Sequence, residues 1–134
     1  MMNTSSLDTS VIVRILVGDK PESCKKIMKL LEQRMTFVVE DLALSETVYV
    51  LETVYRFPRA EIVDLLNFFF TRYADKIEYN RRLTALVFPF YLEHPKLSYN
   101  DCCLAYDAEI NGAEPLFTLD KKLASQHPSA KALD

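Results

Sequence analysis

The sequence predicts an α/β protein, a three-layer α/β/α sandwich built on a mainly parallel sheet of four to five strands. Short β-branched and aromatic runs alternate along the chain with longer segments whose apolar residues repeat at helical spacing. Strands separated by helices in this way imply helical crossovers, which parallel strands require. Since 134 residues that are 49% hydrophobic match the size of one domain, residues 1–134 are predicted to form a single domain.

The first half of the chain contains three predicted strands and four predicted helices. A short strand ends near Asp8 and leads into a helix whose apolar residues run from Val11 to Leu16. Proline suits the first turn of a helix, so the next helix is predicted to run from Pro21 to about Arg34. The other elements of this half are a strand at Thr36–Val39, a helix at Leu42–Tyr55, a helix from Pro58 through Phe69 and a strand at Lys76–Tyr79.

The second half begins with a predicted helix from Arg81 to about Tyr91, although Pro89 makes its end hard to place. A helix then opens at Ser98 and stops at Asn111-Gly112. The last predicted elements are a strand at Leu116–Leu119, a short helix at Asp120–Ala124 and an edge strand at Ala130–Leu133.

Four acids occupy equivalent places in this pattern, each just after a strand or in the first turn of a helix: Asp8, Glu46, Asp101 and Asp120. Because the carboxyl ends of parallel strands share one edge of a sheet, these acids are expected to gather there. Each of them could also serve only as a helix cap or first-turn acid, and Asp101 matches a capping box with Ser98. Carboxylates that cluster repel one another unless a cation neutralises them, so the four together favour a divalent metal site.

Oxygen ligands of this kind suit Mg²⁺, and Mn²⁺ accepts the same set. A metal held by carboxylates can activate water for attack on a phosphodiester, so the chemistry indicated is metal-assisted phosphate ester hydrolysis. The net charge of −3 argues against a typical nucleic-acid binder unless the acids are concentrated at such a site. The two glycines are too few for a glycine-rich phosphate-binding loop.

Five segments resemble the PIN-domain family, and in particular its VapC-like toxins: Leu7–Arg14, Leu44–Leu51, Tyr55–Ile62, Asn100–Ala105 and Phe117–Leu123. Together they span essentially the whole chain in the order of that family. The last segment is the most specific, since Thr118-Leu119-Asp120 is similar to the family's threonine-x-aspartate signature. The Cys102-Cys103 pair replaces small apolar residues usual at that helix start.

The resemblance implies a PIN-like fold and a metal-dependent endoribonuclease that is the toxin of a toxin–antitoxin pair. It implies catalysis and metal ligation by the four acids, with supporting hydrogen bonds from Thr9, Ser10 and Thr118. It further implies an RNA substrate, a homodimer and a small antitoxin protein as partner.

Cations near these segments are candidates for contacts with RNA phosphates: Arg14, Lys121 and Lys122. Three phenylalanines at Phe68–Phe70 cannot all face one side of a helix, so part of this surface is expected to be covered by a second copy or an antitoxin helix. The three cysteines match neither a disulfide pattern nor a zinc site, which predicts a cytoplasmic protein. The sequence has no apolar run of the ~20 residues that a membrane span needs, so the protein is not expected to enter a membrane.

Other functions compete with the toxin hypothesis. One is a PIN-type RNA-processing nuclease without an antitoxin, and another is a non-catalytic PIN-like module that binds RNA or protein. Phosphotransfer receivers and aspartate-nucleophile phosphatases also place aspartates at strand ends, but they need further acids near the first one. Here Asp8 is followed by Thr9 and Ser10, which fits neither class.

Overall fold

The computed structural model describes residues 3–133, which contain seven helices and five strands. In chain order these are β1 (Asn3–Ser6), α1 (Thr9–Val17), α2 (Pro21–Leu31), β2 (Met35–Val39), α3 (Asp41–Thr53), α4 (Arg59–Arg72), β3 (Ile77–Tyr79), α5 (Arg81–Glu93), α6 (Tyr99–Ile110), β4 (Leu116–Thr118), α7 (Lys121–Gln126) and β5 (Ala130–Ala132). Every element predicted from the sequence is present. The predicted α/β class is confirmed, and the helices and parallel strands are compatible with an α/β sandwich.

The strands form two sheets rather than the single sheet of four to five strands that was predicted. One sheet has the order β1-β2-β3 and the other pairs β4 with β5, and all three pairings are parallel. The difference arises because periodicity reveals where a strand lies, whereas its hydrogen-bonding neighbour depends on contacts between distant segments.

The chain divides into two compact units, one ending at Asn80 and the other beginning at Arg81. The first unit contains the three-stranded sheet and helices α1 to α4. Its core includes Phe37 on the central strand, which is only 1% exposed, and fully buried Ile12, Val48 and Leu66 from three different helices. These side chains hold α1, α3 and α4 together through burial of apolar surface.

The second unit contains α5, α6, α7 and the two-stranded sheet. Helices α5 and α6 pack against each other around buried Val87, Tyr91, Cys102 and Ala105. Both Cys102 and Cys103 are buried and form no disulfide, which suits small apolar side chains at a helix contact. Between residues 3 and 133, no helix has both the length and the hydropathy needed to cross a membrane.

Candidate active site

Asp8 lies two residues beyond the end of β1 and caps the N-terminus of α1. The preceding residue, Leu7, is buried and its backbone N–H donates to the Val38 carbonyl (2.9 Å), which anchors the end of β1 to β2. The Asp8 carboxylate accepts two hydrogen bonds from Ser10, from the hydroxyl (2.6 Å) and from the backbone N–H (3.2 Å). These bonds, the hydroxyl bond first, lower the pKa of Asp8 below its ordinary value. The exposed carboxylate is therefore ionised at neutral pH.

Glu46 lies on the second turn of α3, not on the first turn where the sequence pattern placed it; Asp41 is the acid of the first turn. The helix buries Leu44, Thr47 and Val48 on its inner side, which leaves Glu46 on the exposed side. Its Oε2 accepts a hydrogen bond from the Thr9 hydroxyl (3.0 Å). This bond connects the start of α1 to α3 and brings Glu46 to the residue that follows Asp8.

Asp8 and Glu46 line one open cavity of about 400 Å³ at the carboxyl ends of β1 and β2, together with Thr9. A third acid, Glu40, lines the same cavity, although sequence reasoning did not select it. Glu40 directly follows β2 and precedes α3, so the criterion that selected Asp8, an acid just beyond a strand, would have found it.

The other two predicted acids lie in the second unit. Asp101 is in the first turn of α6, and its backbone N–H donates to the Oγ of the N-cap residue Ser98 (3.0 Å). Asp120 caps α7: its Oδ1 accepts from the backbone N–H groups of Lys122 (2.9 Å) and Leu123 (3.3 Å). Its own backbone N–H donates to Thr118 Oγ1 (3.0 Å). Asp120 thus has the capping role that the sequence left open, and Thr118 supports the turn that presents it.

Each unit therefore carries two of the four predicted acids: Asp8 and Glu46 in the first, Asp101 and Asp120 in the second. Within residues 3–133, no group of three or more His, Cys, Asp or Glu side chains has the spacing of a metal site. The structure brings Asp8 and Glu46 together through Thr9. A single centre that contains all four acids stays a prediction.

The three cations proposed to contact RNA differ in their surroundings. Arg14, in the last turn of α1, donates from Nη1 to Asp19 Oδ1 (2.8 Å) and to the Tyr55 hydroxyl (2.7 Å). Its guanidinium thus holds the end of α1 against the segment after α3. Lys121 and Lys122 open α7 next to Asp120, and both are exposed. The lysines are therefore better placed than Arg14 to contact a phosphate.

The cavity around Asp8 and Glu46 fits a hard divalent cation by the chemistry of its donors. Its polar side chains offer only carboxylate and hydroxyl oxygens, and none of the residues that line it is basic. Magnesium and manganese prefer such oxygens. The lowered pKa of Asp8 also favours the charged form of this carboxylate, which is the form that binds a cation.

Fold and site together define an α/β protein with paired carboxylates at the carboxyl edge of a parallel sheet. The model of the PIN-domain family matches residues 6–126, which include all four acids and parts of both units. The chain belongs to the PIN-domain family, whose members are generally nucleases that depend on divalent metals. No curated protein matches the chain significantly in a sequence search.

Proposed function

We propose that the protein is an endoribonuclease that hydrolyses RNA phosphodiester bonds and requires Mg²⁺ or Mn²⁺. The observation that carries this proposal is the pair of carboxylates, Asp8 and Glu46, at one cavity in a chain of a nuclease family. Asp101 and Asp120 are proposed as the remaining ligands. Their positions at helix starts, in residues matched by the family model, support this role.

Bound at these carboxylates, a divalent cation would neutralise their charge, lower the pKa of a water molecule and stabilise negative charge on the phosphate. The chain's own residues prepare the ligands. Hydrogen bonds from Ser10 lower the pKa of Asp8, and Thr9 fixes one oxygen of Glu46. Thr118 orders the backbone at Asp120. Lys121 and Lys122 are proposed to contact the RNA backbone.

The first experiment is cleavage of total RNA by purified wild type and by Asp8→Ala, each with Mg²⁺, Mn²⁺ or excess chelator. We expect cleavage by the wild type only with metal, and a loss of at least about 100-fold in the variant, since a ligand is removed from a charge-stabilising site. Asp64→Asn, which removes an exposed acid from α4, is the matched control and should cleave like the wild type. Metal-independent cleavage, or equal cleavage by Asp8→Ala, would contradict the proposal.

We further propose that this nuclease is the toxin of a toxin–antitoxin pair. It is proposed to form a homodimer, to bind a small antitoxin protein and to be cytoplasmic. An apolar cavity of about 230 Å³ between α1 and α4 supports a protein partner. Phe68 at this cavity is 70% exposed, and an exposed phenylalanine beside an apolar groove is typical of a surface that another protein covers. The three cysteines form no disulfide, which is consistent with a reducing compartment.

The alternatives are a PIN-type RNA-processing nuclease without an antitoxin and a non-catalytic module that binds RNA or protein. The pair of carboxylates at one cavity favours an enzyme over the binding module. The apolar cavity lined by Phe68 supports a protein partner. It therefore favours the toxin over a processing nuclease without an antitoxin.

A further inference from the structure

A turn of three residues between α7 and β5 joins three elements of the second unit. Its first residue, His127, directly follows α7, and its last residue, Ser129, precedes β5. The Ser129 backbone N–H donates to His127 Nδ1 (3.0 Å), and the Ser129 carbonyl accepts from the backbone N–H of Leu116, the first residue of β4 (2.7 Å). The His127 carbonyl accepts from the backbone N–H of Ala130 in β5 (3.1 Å). The His127 side chain therefore holds the turn that connects α7 to both strands.

The imidazole of His127 is enclosed, and one of its nitrogen atoms is unused. Only 2% of the residue is exposed, and its ring packs against the rings of Tyr106 (centroid distance 4.4 Å) and Phe90 (4.9 Å). Within residues 3–133, Nε2 is buried and has no hydrogen-bond partner. Because Nδ1 is an acceptor, the neutral ring carries its proton on Nε2, and this buried N–H lacks an acceptor. A buried donor of this kind costs free energy in the folded state.

The hydrogen bond to Nδ1 exists only while the ring is neutral. A protonated imidazole is a donor at both nitrogen atoms, so its Nδ1–H would face the Ser129 N–H, and two donors would replace the bond. The cation would also be buried between two aromatic rings without an acceptor on either nitrogen, which is costly. Burial accordingly lowers the pKa of His127 below its ordinary value.

The charged groups around His127 determine where the ring goes when it is protonated. The titratable groups that face it come from two helices and one loop: His94 of α5, Tyr106 and Glu109 of α6, and Glu114 of the segment between α6 and β4. Ser129 Oγ lies 2.9 Å from Glu114 Oε2 and 3.3 Å from Glu109 Oε2, and both glutamates are exposed. Two carboxylates thus lie at the surface beside the turn, where an imidazolium is both solvated and paired.

We propose that His127 is a pH-sensitive switch: protonation moves its ring out of its buried position toward Glu109 and Glu114 and opens the turn. Opening releases the end of α7 and the pairing of β4 with β5, while α5 and α6 stay folded. The change reaches the candidate site, because α7 is capped by Asp120, whose backbone N–H donates to Thr118 at the end of β4. The inference concerns the fold of the second unit and does not rest on the proposed nuclease function.

The test is amide hydrogen exchange of the wild type between pH 5 and pH 8, resolved by residue and expressed as protection factors. The open form binds the proton at or above about pH 6.5, the ordinary pKa of histidine, and the closed form binds it at lower pH. Protection in α7, β4 and β5 should therefore fall by up to about tenfold per pH unit below that value. A local opening exposes little surface, so this fall should not depend on low concentrations of urea, unlike the exchange of α5 and α6.

Variants identify the group that is responsible. In His127→Asn the side-chain oxygen takes the place of Nδ1 as acceptor for Ser129 and does not titrate in this range, so the pH dependence should disappear. Glu109→Gln combined with Glu114→Gln changes only exposed side chains and removes the carboxylates that stabilise the cation, so the loss of protection should begin at lower pH. His94→Gln is the matched control and should keep the loss of protection, because the titrating ring is still present.

The outcomes decide between a local switch and a general effect of pH on stability. Protection in α7, β4 and β5 that does not change with pH, or that changes equally in His127→Asn, overturns the switch. If these amides lose protection together with those of α5 and α6 and with the same urea dependence, protonation destabilises the whole unit, and the inference is wrong. If His127→Asn does not fold, the double glutamate variant decides, since an onset at the wild-type pH overturns the switch. None of these results depends on RNA cleavage, so the switch and the proposed nuclease are tested separately.

Discussion

Two hydroxyl side chains next to Asp8 prepare the candidate site. Ser10 donates to Asp8, and Thr9 donates to Glu46. Hydrogen bonds to a carboxylate stabilise its ionised form and restrict its orientation. The segment Asp8-Thr9-Ser10 thus supplies one carboxylate and positions a second one that lies 38 residues further along the chain.

His127 is a buried titratable residue of the second unit, and it is 2% exposed. Its Nδ1 accepts a hydrogen bond from the Ser129 backbone N–H (3.0 Å), so Nδ1 is unprotonated in the folded state. Its ring packs edge-on against Tyr106 and Phe90. Burial lowers the pKa of His127 below its ordinary value, against the opposing effect of Glu109 and Glu114, while His94 acts in the same direction as burial.

We therefore predict that the free energy of unfolding decreases as the pH falls below about 6.5, the ordinary pKa of histidine. Because the folded-state pKa is the lower one, the unfolded chain binds the proton first, and stability is lost as the pH falls toward the folded value. One proton contributes at most about 1.4 kcal/mol per pH unit. Urea denaturation at several pH values between 5 and 8 measures this slope.

His127→Gln should lose most of this slope even if it is less stable at every pH, and His94→Gln is the control for the other histidine. An unchanged slope in His127→Gln would contradict the prediction. Asp8, whose pKa is lowered, affects stability only in a more acidic range, below its ordinary value of 3.8, so the two effects are separable.

At the scale of elements, helix α5 shows how packing overrides a local signal. Pro89 lies inside the helix, which nevertheless continues to Glu93. Proline in a helix interior costs about 3 kcal/mol. The same helix buries Val87, Phe88 and Tyr91, and full burial of one large apolar side chain contributes about 1.5–3 kcal/mol. The free energy gained by burying three such side chains exceeds the cost of the proline, so the helix persists.

Helix α7 allows the capping and catalytic roles of Asp120 to be separated. Asparagine caps a helix about as well as aspartate does, whereas alanine costs about 1 kcal/mol. We predict that Asp120→Asn keeps the wild-type free energy of unfolding but loses RNA cleavage, because the charged ligand is gone. Asp120→Ala should lose RNA cleavage and also about 1 kcal/mol of the free energy of unfolding. Denaturation and the cleavage assay measure the two effects.

Full activity in Asp120→Asn would show that Asp120 is only a cap. The same pair of measurements on Asp101 is less informative, because there the side chain that caps α6 belongs to Ser98.

At the scale of the whole molecule, the apolar cavity lined by Phe68 leads to a prediction about association. We expect light scattering to give the wild type about twice the 15.5 kDa of one chain, and Phe68→Glu to disrupt one protein contact by placing a charge in it. If the variant is monomeric, the groove joins two copies. If the variant stays dimeric but no longer binds a co-expressed antitoxin, the cavity is the binding site of the antitoxin. A wild type that is monomeric, soluble and without any partner would contradict the proposed partner surface.

The sequence by itself determined the order and approximate bounds of the helices and strands. Periodicity, proline at a helix start and Asn-Gly at a helix end are local signals, and each depends on a few adjacent residues. The caps at Asp8, Ser98 and Asp120 could be predicted for the same reason. So could the positions of Asp8 and Asp120 just beyond a strand, whereas Glu46 lies one turn further into its helix than the pattern placed it.

Only the tertiary structure decided which side chains meet. It paired Thr9 with Glu46, placed Glu40 at the same cavity and joined Arg14 to Tyr55. It also divided the strands between two sheets. These outcomes depend on contacts between residues distant in the chain and on which face of each element the core buries. Local pattern does not encode them, because the same helix or strand can be packed in more than one register and against more than one neighbour.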